Sequence, residues 1–74
     1  MNKNLTELEI GKKGVVKEIL LRNSIRRRIG DIGLIDNTIV ECLMKSPGGD
    51  PIAYFIRGAV IALRNEDACL ILIE

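Results

Sequence analysis

Apolar residues recur along this chain in short runs, broken by polar or glycine-containing turns. That rhythm predicts strands more often than helices. Residues 15–21 form the first expected strand. Val16 and Glu18 fall on one side and Val15, Lys17 and Ile19 on the other, an imperfect alternation that suits a curved strand. Residues 24–32 read as a helix. Ile25, Ile29 and Ile32 share one face, Ser24 is placed as N-cap, and Gly33 ends the helix in a left-handed conformation with Leu34 folded back on Ile29. Gly30 inside this helix costs about 1 kcal/mol relative to alanine, and a close approach of the barrel backbone would explain it. Asp36-Asn37 is a turn. Residues 38–45 and 52–57 are strands joined by the loop at 46–51. In the second of them Ile52, Tyr54 and Ile56 share one face, with Ala53 and Phe55 on the other. Gly58 marks a bulge or sharp bend. Residues 59–64 and 68–73 are further strands around a polar turn at 65–67, and both faces of the last one are apolar.

At the N-terminus, residues 1–4 are expected to be a flexible tail. Thr6 and Glu9 fit a capping box that turns Leu5 and Leu8 inward, and Gly11 and Gly14 bracket a turn. The element order is strand, helix, then four strands with tight connections. It predicts one mostly β domain over residues 5–74: a small closed or nearly closed barrel of five to six short strands, with one short α-helix inserted after the first strand.

Composition narrows the function. The chain has 74 residues, room for one core. A deep catalytic cleft would consume core that so small a fold needs. Net charge is +1, and Tyr54 and Phe55 are the only aromatic residues. Nucleic-acid binders ordinarily show a basic excess and stacking platforms, so nucleic acid is not an expected partner. The first ten residues are too polar for a signal peptide, and no apolar run approaches a membrane span. The expected location is cytoplasmic, with Cys42 and Cys69 as reduced thiols.

Catalysis is not expected. The chain contains no histidine, so no Ser-His or Cys-His pair can form. Two separated thiols do not make a structural zinc site, and both read as small buried hydrophobes. No cofactor is expected, with weak divalent-metal binding left open. Gly48-Gly49 lacks the Gly-Lys-Ser/Thr of a phosphate loop. Arg22, Arg26, Arg27 and Arg28 are the one charge cluster. They fit either a solvated helix surface, with Asp31 pairing to Arg27 and Arg28, or a docking surface for an acidic partner or membrane headgroups. Apolar residues make up 47% of the chain, more than one inward face per strand can use. The surplus is covered by the helix and N-terminal turn or is left for a partner. The expected partner-binding residues are Leu21, Arg22, Ile25, Arg26, Met44, Tyr54 and Phe55.

An ordered set of motifs carries a family resemblance. It runs Leu5-x-x-Leu8-x-x-Gly11-x-x-Gly14, Arg28-Ile29-Gly30-Asp31-Ile32-Gly33-Leu34, Ser46-Pro47-Gly48-Gly49-Asp50-Pro51-Ile52-x-Tyr54, and Arg57-Gly58-x-x-Ile61-Ala62-Leu63-Arg64 with Ala68. Together these resemble ferrous iron transport protein A, the FeoA family. Asp36-Asn37 departs from the Pro-Gly-like turn common there. The resemblance implies an SH3-like barrel assisting FeoB, a nucleotide-binding membrane transporter of ferrous iron, as a protein-protein interaction module on its cytosolic domain. It supplies no catalytic residues. Two other readings stay open: a metal-responsive regulatory domain binding a divalent ion, and a small nucleic-acid-binding barrel. Homo-oligomers are also open.

Overall fold

The computed structural model describes residues 3–74, without the side chains of Asn23, Ile25 and Ile32. Strand β1 (Lys3–Asn4) leads into a 3-10 turn (Leu5–Glu7) and then β2 (Lys13–Ile19), α1 (Asn23–Ile32), β3 (Ile39–Lys45), β4 (Ile52–Ile56), β5 (Ala59–Leu63), α2 (Asn65–Ala68) and β6 (Ile71–Ile73). The six strands form one antiparallel sheet in the order β1-β6-β2-β3-β4-β5. The mostly β architecture is as expected.

Local chemistry explains where boundaries differ from expectation. Lys3 and Asn4, placed in a tail, pair with Ile73 and Leu72; Met1 and Asn2 lie outside the described residues. The capping box sits two residues earlier than Thr6 and Glu9. Asn4 Oδ1 accepts from the Thr6 backbone N–H at 2.9 Å, and Glu7 accepts from the Asn4 N–H at 2.8 Å. The 3-10 spacing, closed by Leu8 N–H to Leu5 C=O at 3.1 Å, buries both leucines as expected. Gly11 turns with φ +84°, but Gly14 lies inside β2. A Cβ there would come within 2.9 Å of the Ile73 side chain, so glycine lets β2 lie close to β6.

A bulge between Val16 and Glu18 resolves the uneven alternation of β2. The extra residue resets the face, so Val16 and Ile19 both point into the core. Helix α1 begins at Asn23 with Arg22 at the cap position and no side-chain capping bond. Ser24 is therefore not its N-cap: buried Leu21 anchors the extended chain just before it, and the turn into the helix follows at once. The C-terminus is the expected Schellman motif. Gly33 N–H bonds to Gly30 C=O at 3.0 Å and Leu34 N–H to Ile29 C=O at 3.1 Å. Gly33 has φ +103°, and the Arg57 side chain lies across it where a Cβ would stand 2.6 Å from Arg57 Cδ. A Cβ at Gly30 would meet nothing within 4 Å outside its own helix backbone, so no close approach of the barrel explains that glycine.

Arg57 and Gly58 form a two-residue hairpin turn, with φ +47° and +85°. The positive sign at both positions matches the twist of the flanking strands. Residues 65–67 and the start of the expected last strand become α2, closed by Ala68 N–H to Arg64 C=O at 2.8 Å. That turn carries Ala68 into the core and shortens β6 to Ile71–Ile73.

The core is aliphatic apart from Tyr54 and Cys42. The Tyr54 hydroxyl donates to Leu5 C=O at 3.0 Å. Burial, with a smaller contribution from Cys42, holds its phenol well above the usual range. Tyr54→Phe should destabilise the fold by about 1–3 kcal/mol, because the Leu5 carbonyl loses its buried partner, and lower the thermal midpoint by about 5–15 °C. The native state keeps a proton that the unfolded chain releases near pH ~10. Stability should therefore be fully present below that pH and fall as pH rises above it. A denaturant titration across alkaline pH should show that slope diminished in Tyr54→Phe.

Candidate functional site

Where β2 ends, the chain passes between the two helices and opens a groove of about 760 Å³. Ile19 and Leu21 are buried beneath it. Leu20 and Leu70 are partly exposed at its surface, 41% and 38%. Arg22 and Arg26 contribute from the start of α1, Glu18 from β2, and Asp67 from α2. The walls are tied together: Leu20 N–H bonds to Leu70 C=O at 2.7 Å, and Arg26 Nη1 donates to Ile19 C=O at 3.0 Å. Arg26 is thereby held in place, with its charge on the rim. It also lines a smaller hollow of about 330 Å³ with Gly30, Leu34, Ile35 and Asp36.

A second surface is the outer face of β3, β4 and β5. Ile39, Met44, Phe55 and Val60 are exposed there by 60%, 61%, 41% and 66%. Phe55 pairs with Val60 across β4 and β5, and Ala53 pairs with both Met44 and Ala62. Ile39, Phe55 and Val60 are exposed because the strand period of two sends their neighbours Val40, Tyr54, Ile56 and Ile61 inward, and Met44 because the register shift between Cys42 and Met44 resets the face of β3.

The seven expected partner-binding residues do not form one surface. Arg22 and Arg26 meet at the groove, whereas Met44 and Phe55 lie on the outer sheet face. Tyr54 is fully buried and Leu21 is 3% exposed, so both are core residues and neither can anchor a partner. Tyr54 is inward because Phe55 beside it is outward, and Leu21 because it plugs the barrel end before α1. The Ile25 side chain lies outside the described residues. Sequence reasoning missed Leu20, Leu70, Glu18 and Asp67. The Leu20-Leu21-Arg22 run at a strand end was the available signal for the first; Leu70 was hidden inside the expected strand 68–73, of which only Ile71–Ile73 is strand, and lies in the turn between α2 and β6.

The groove offers apolar contact flanked by two guanidinium groups and two carboxylates, which is the chemistry of docking. Among the described residues, no three His, Cys, Asp or Glu side chains converge as metal ligands. No helix among the described residues is long and apolar enough to cross a membrane. Cys42 is buried, and burial pushes its thiol up. Cys69, expected to be buried, is exposed, with its Sγ donating to Glu66 C=O at 3.4 Å. A thiol reagent should therefore titrate one cysteine in the native protein and two after denaturation. Rapid native labelling of both would contradict this packing.

Residues 3–74 match the family model described as the FeoA domain. Solved structures agree in fold. A FeoA-like protein from Clostridium acetobutylicum has TM-score 0.86 at 38% identity, covering 99% of this chain and 85% of that one. FeoA from Chlorobium tepidum has TM-score 0.92 at 29% identity, covering 97% and 69%. FeoA from Stenotrophomonas maltophilia, solved with zinc and described as a procaryotic SH3 domain protein and candidate ferrous iron transport activating factor, has TM-score 0.79 at 25% identity, covering 97% and 89%. No curated protein matches the sequence.

Proposed function

The chain belongs to the FeoA family, and on that premise we propose that it is a cytoplasmic accessory of ferrous iron uptake that docks on the cytosolic domain of the transporter FeoB. The family places it in ferrous iron transport. The observation that carries the docking reading is the groove beside α1. It combines exposed Leu20 and Leu70 with Arg22 and with an Arg26 already fixed by the Ile19 carbonyl. An apolar anchor beside an ordered guanidinium is the combination that dominates binding energy at protein interfaces, because little side-chain freedom remains to be lost. Glu18 and Asp67 at the same rim would orient a partner of mixed charge.

The module acts by contact and carries out no reaction. The chain has no histidine, so neither cysteine nor any serine has the imidazole base that usually activates it. Ferrous ion is the cargo of the transporter and is not held by this domain.

Binding of the full chain to the cytosolic domain of FeoB, with and without guanine nucleotide, tests the proposal. Arg22→Glu and Leu70→Asp should each weaken association by about tenfold or more while leaving the fold intact. No association with the native chain at high concentration, or affinity unchanged in both variants, would overturn the assignment of the groove. Ferrous or zinc titration should leave the amides near Cys42 and Cys69 unshifted; saturable shifts there would favour the metal-responsive regulator.

A further inference from the structure

The sheet has two outer strands, and they are protected very differently. β1 has two residues and one of them is Lys3, a short and charged edge of the kind that discourages further pairing. β5, at the other end, has five residues, Ala59-Val60-Ile61-Ala62-Leu63. It contains no charge, no proline and no bulge, and its register with β4 runs unbroken from Ile52↔Leu63 to Ile56↔Ala59. Among the described residues, no backbone hydrogen bond from this strand goes to a turn, loop or cap. Ala59, Val60 and Ala62 are exposed. The strand thus presents a straight row of unpaired N–H and C=O groups flanked by apolar side chains.

We infer that β5 pairs antiparallel with β5 of a second copy of this chain, about a two-fold axis at Ile61, to make a continuous sheet across a weak homodimer. Symmetry and side-chain direction restrict the register. Val60 and Ala62 point to the outer face and Ala59, Ile61 and Leu63 to the inner one, following their partners Phe55, Ala53, Ile56, Tyr54 and Ile52. A two-fold pair must match outer with outer, so its centre falls on a residue. Centring on Ile61 is the choice that uses all five residues. It sets Ile61 against its own copy, Val60 against Ala62, and Ala59 against Leu63, each a larger side chain beside a smaller or equal one.

Charge is compatible with self-pairing. The nearest cations, Arg57 and Arg64, flank the strand; in this register Arg64 falls opposite Gly58 and Arg57 opposite Asn65, so no like charges face each other across the pair. Area sets the strength. One short strand buries on the order of 300 Å² per copy, against about 800 Å² in a standard interface. The dimer should therefore be populated only near millimolar concentration, on the order of 1 mM. The inference does not rest on the docking groove, with which β5 shares no residue.

Sedimentation equilibrium of the full chain from about 10 µM to about 1 mM tests it. The mass should rise from 8.2 kDa toward twice that value. Ala62→Lys and Val60→Lys place a cation on the outward face of the edge, and each should weaken association by about tenfold. Arg22→Glu, in the groove, should leave it unchanged. In the native chain, exchange of the β5 amides should slow with concentration, a readout that stands even if a lysine variant fails to fold. A mass constant at 8.2 kDa with concentration-independent β5 exchange would overturn the inference, as would a rise kept in both lysine variants or abolished by Arg22→Glu. A chain monomeric alone, whose β5 amides shift only when the cytosolic domain of FeoB is added, would give the edge to that partner and also overturn it.

Discussion

The Tyr54 hydroxyl bonded to the Leu5 carbonyl joins parts of the chain that are far apart in sequence, β4 and the N-terminal 3-10 turn. Tyr54 is the one aromatic ring in an otherwise aliphatic core, and a buried phenol needs a partner for its hydroxyl. Leu5 supplies it because the capped turn at Asn4 fixes that carbonyl at the barrel mouth. The same turn follows directly on β1, which pairs with β6. One polar contact therefore connects β4, beside one edge of the sheet, to the segment that finishes its far edge. In a domain this small, with little core to spare, such a contact is a large share of net stability.

Placing Tyr54 inward has a consequence for the surface. Ile52 and Ile56 must follow it, and Ala53 and Phe55 must turn out. Their partners Val60 and Ala62 then turn out as well. The exposed apolar face and the bare edge of β5 are thus the other side of the arrangement that builds the core. The sheet ends at β5, and no further strand among the described residues extends that side.

The opposite end of the molecule is organised by backbone ties. The Leu20–Leu70 hydrogen bond holds the chain leaving β2 against the segment that follows α2, and Arg26 reaches back to Ile19. The groove between them is shaped before any partner arrives. The molecule is thus divided into a packed interior and separate preformed surfaces.

Much of the fold was legible in the residue pattern alone. The alternation in residues 52–57, the Schellman signal at Gly33-Leu34, the Asp36-Asn37 turn and the hairpin at 46–51 each act through nearest neighbours, and local chemistry is what a sequence displays directly. The ordered motifs also carried the family. The site was only half legible. Arg22 and Arg26 could be named as candidates, but their meeting with Leu70 and Asp67 depends on contacts between elements distant in the chain. The same holds for Tyr54 and Leu21, whose burial is decided by the β2 bulge, the bond to Leu5 and the path into α1. The sequence by itself determined where most strands and turns fall and that no histidine-based pair can form; tertiary structure decided which apolar side chains are hidden and which are left exposed, because burial is a property of what packs above a residue.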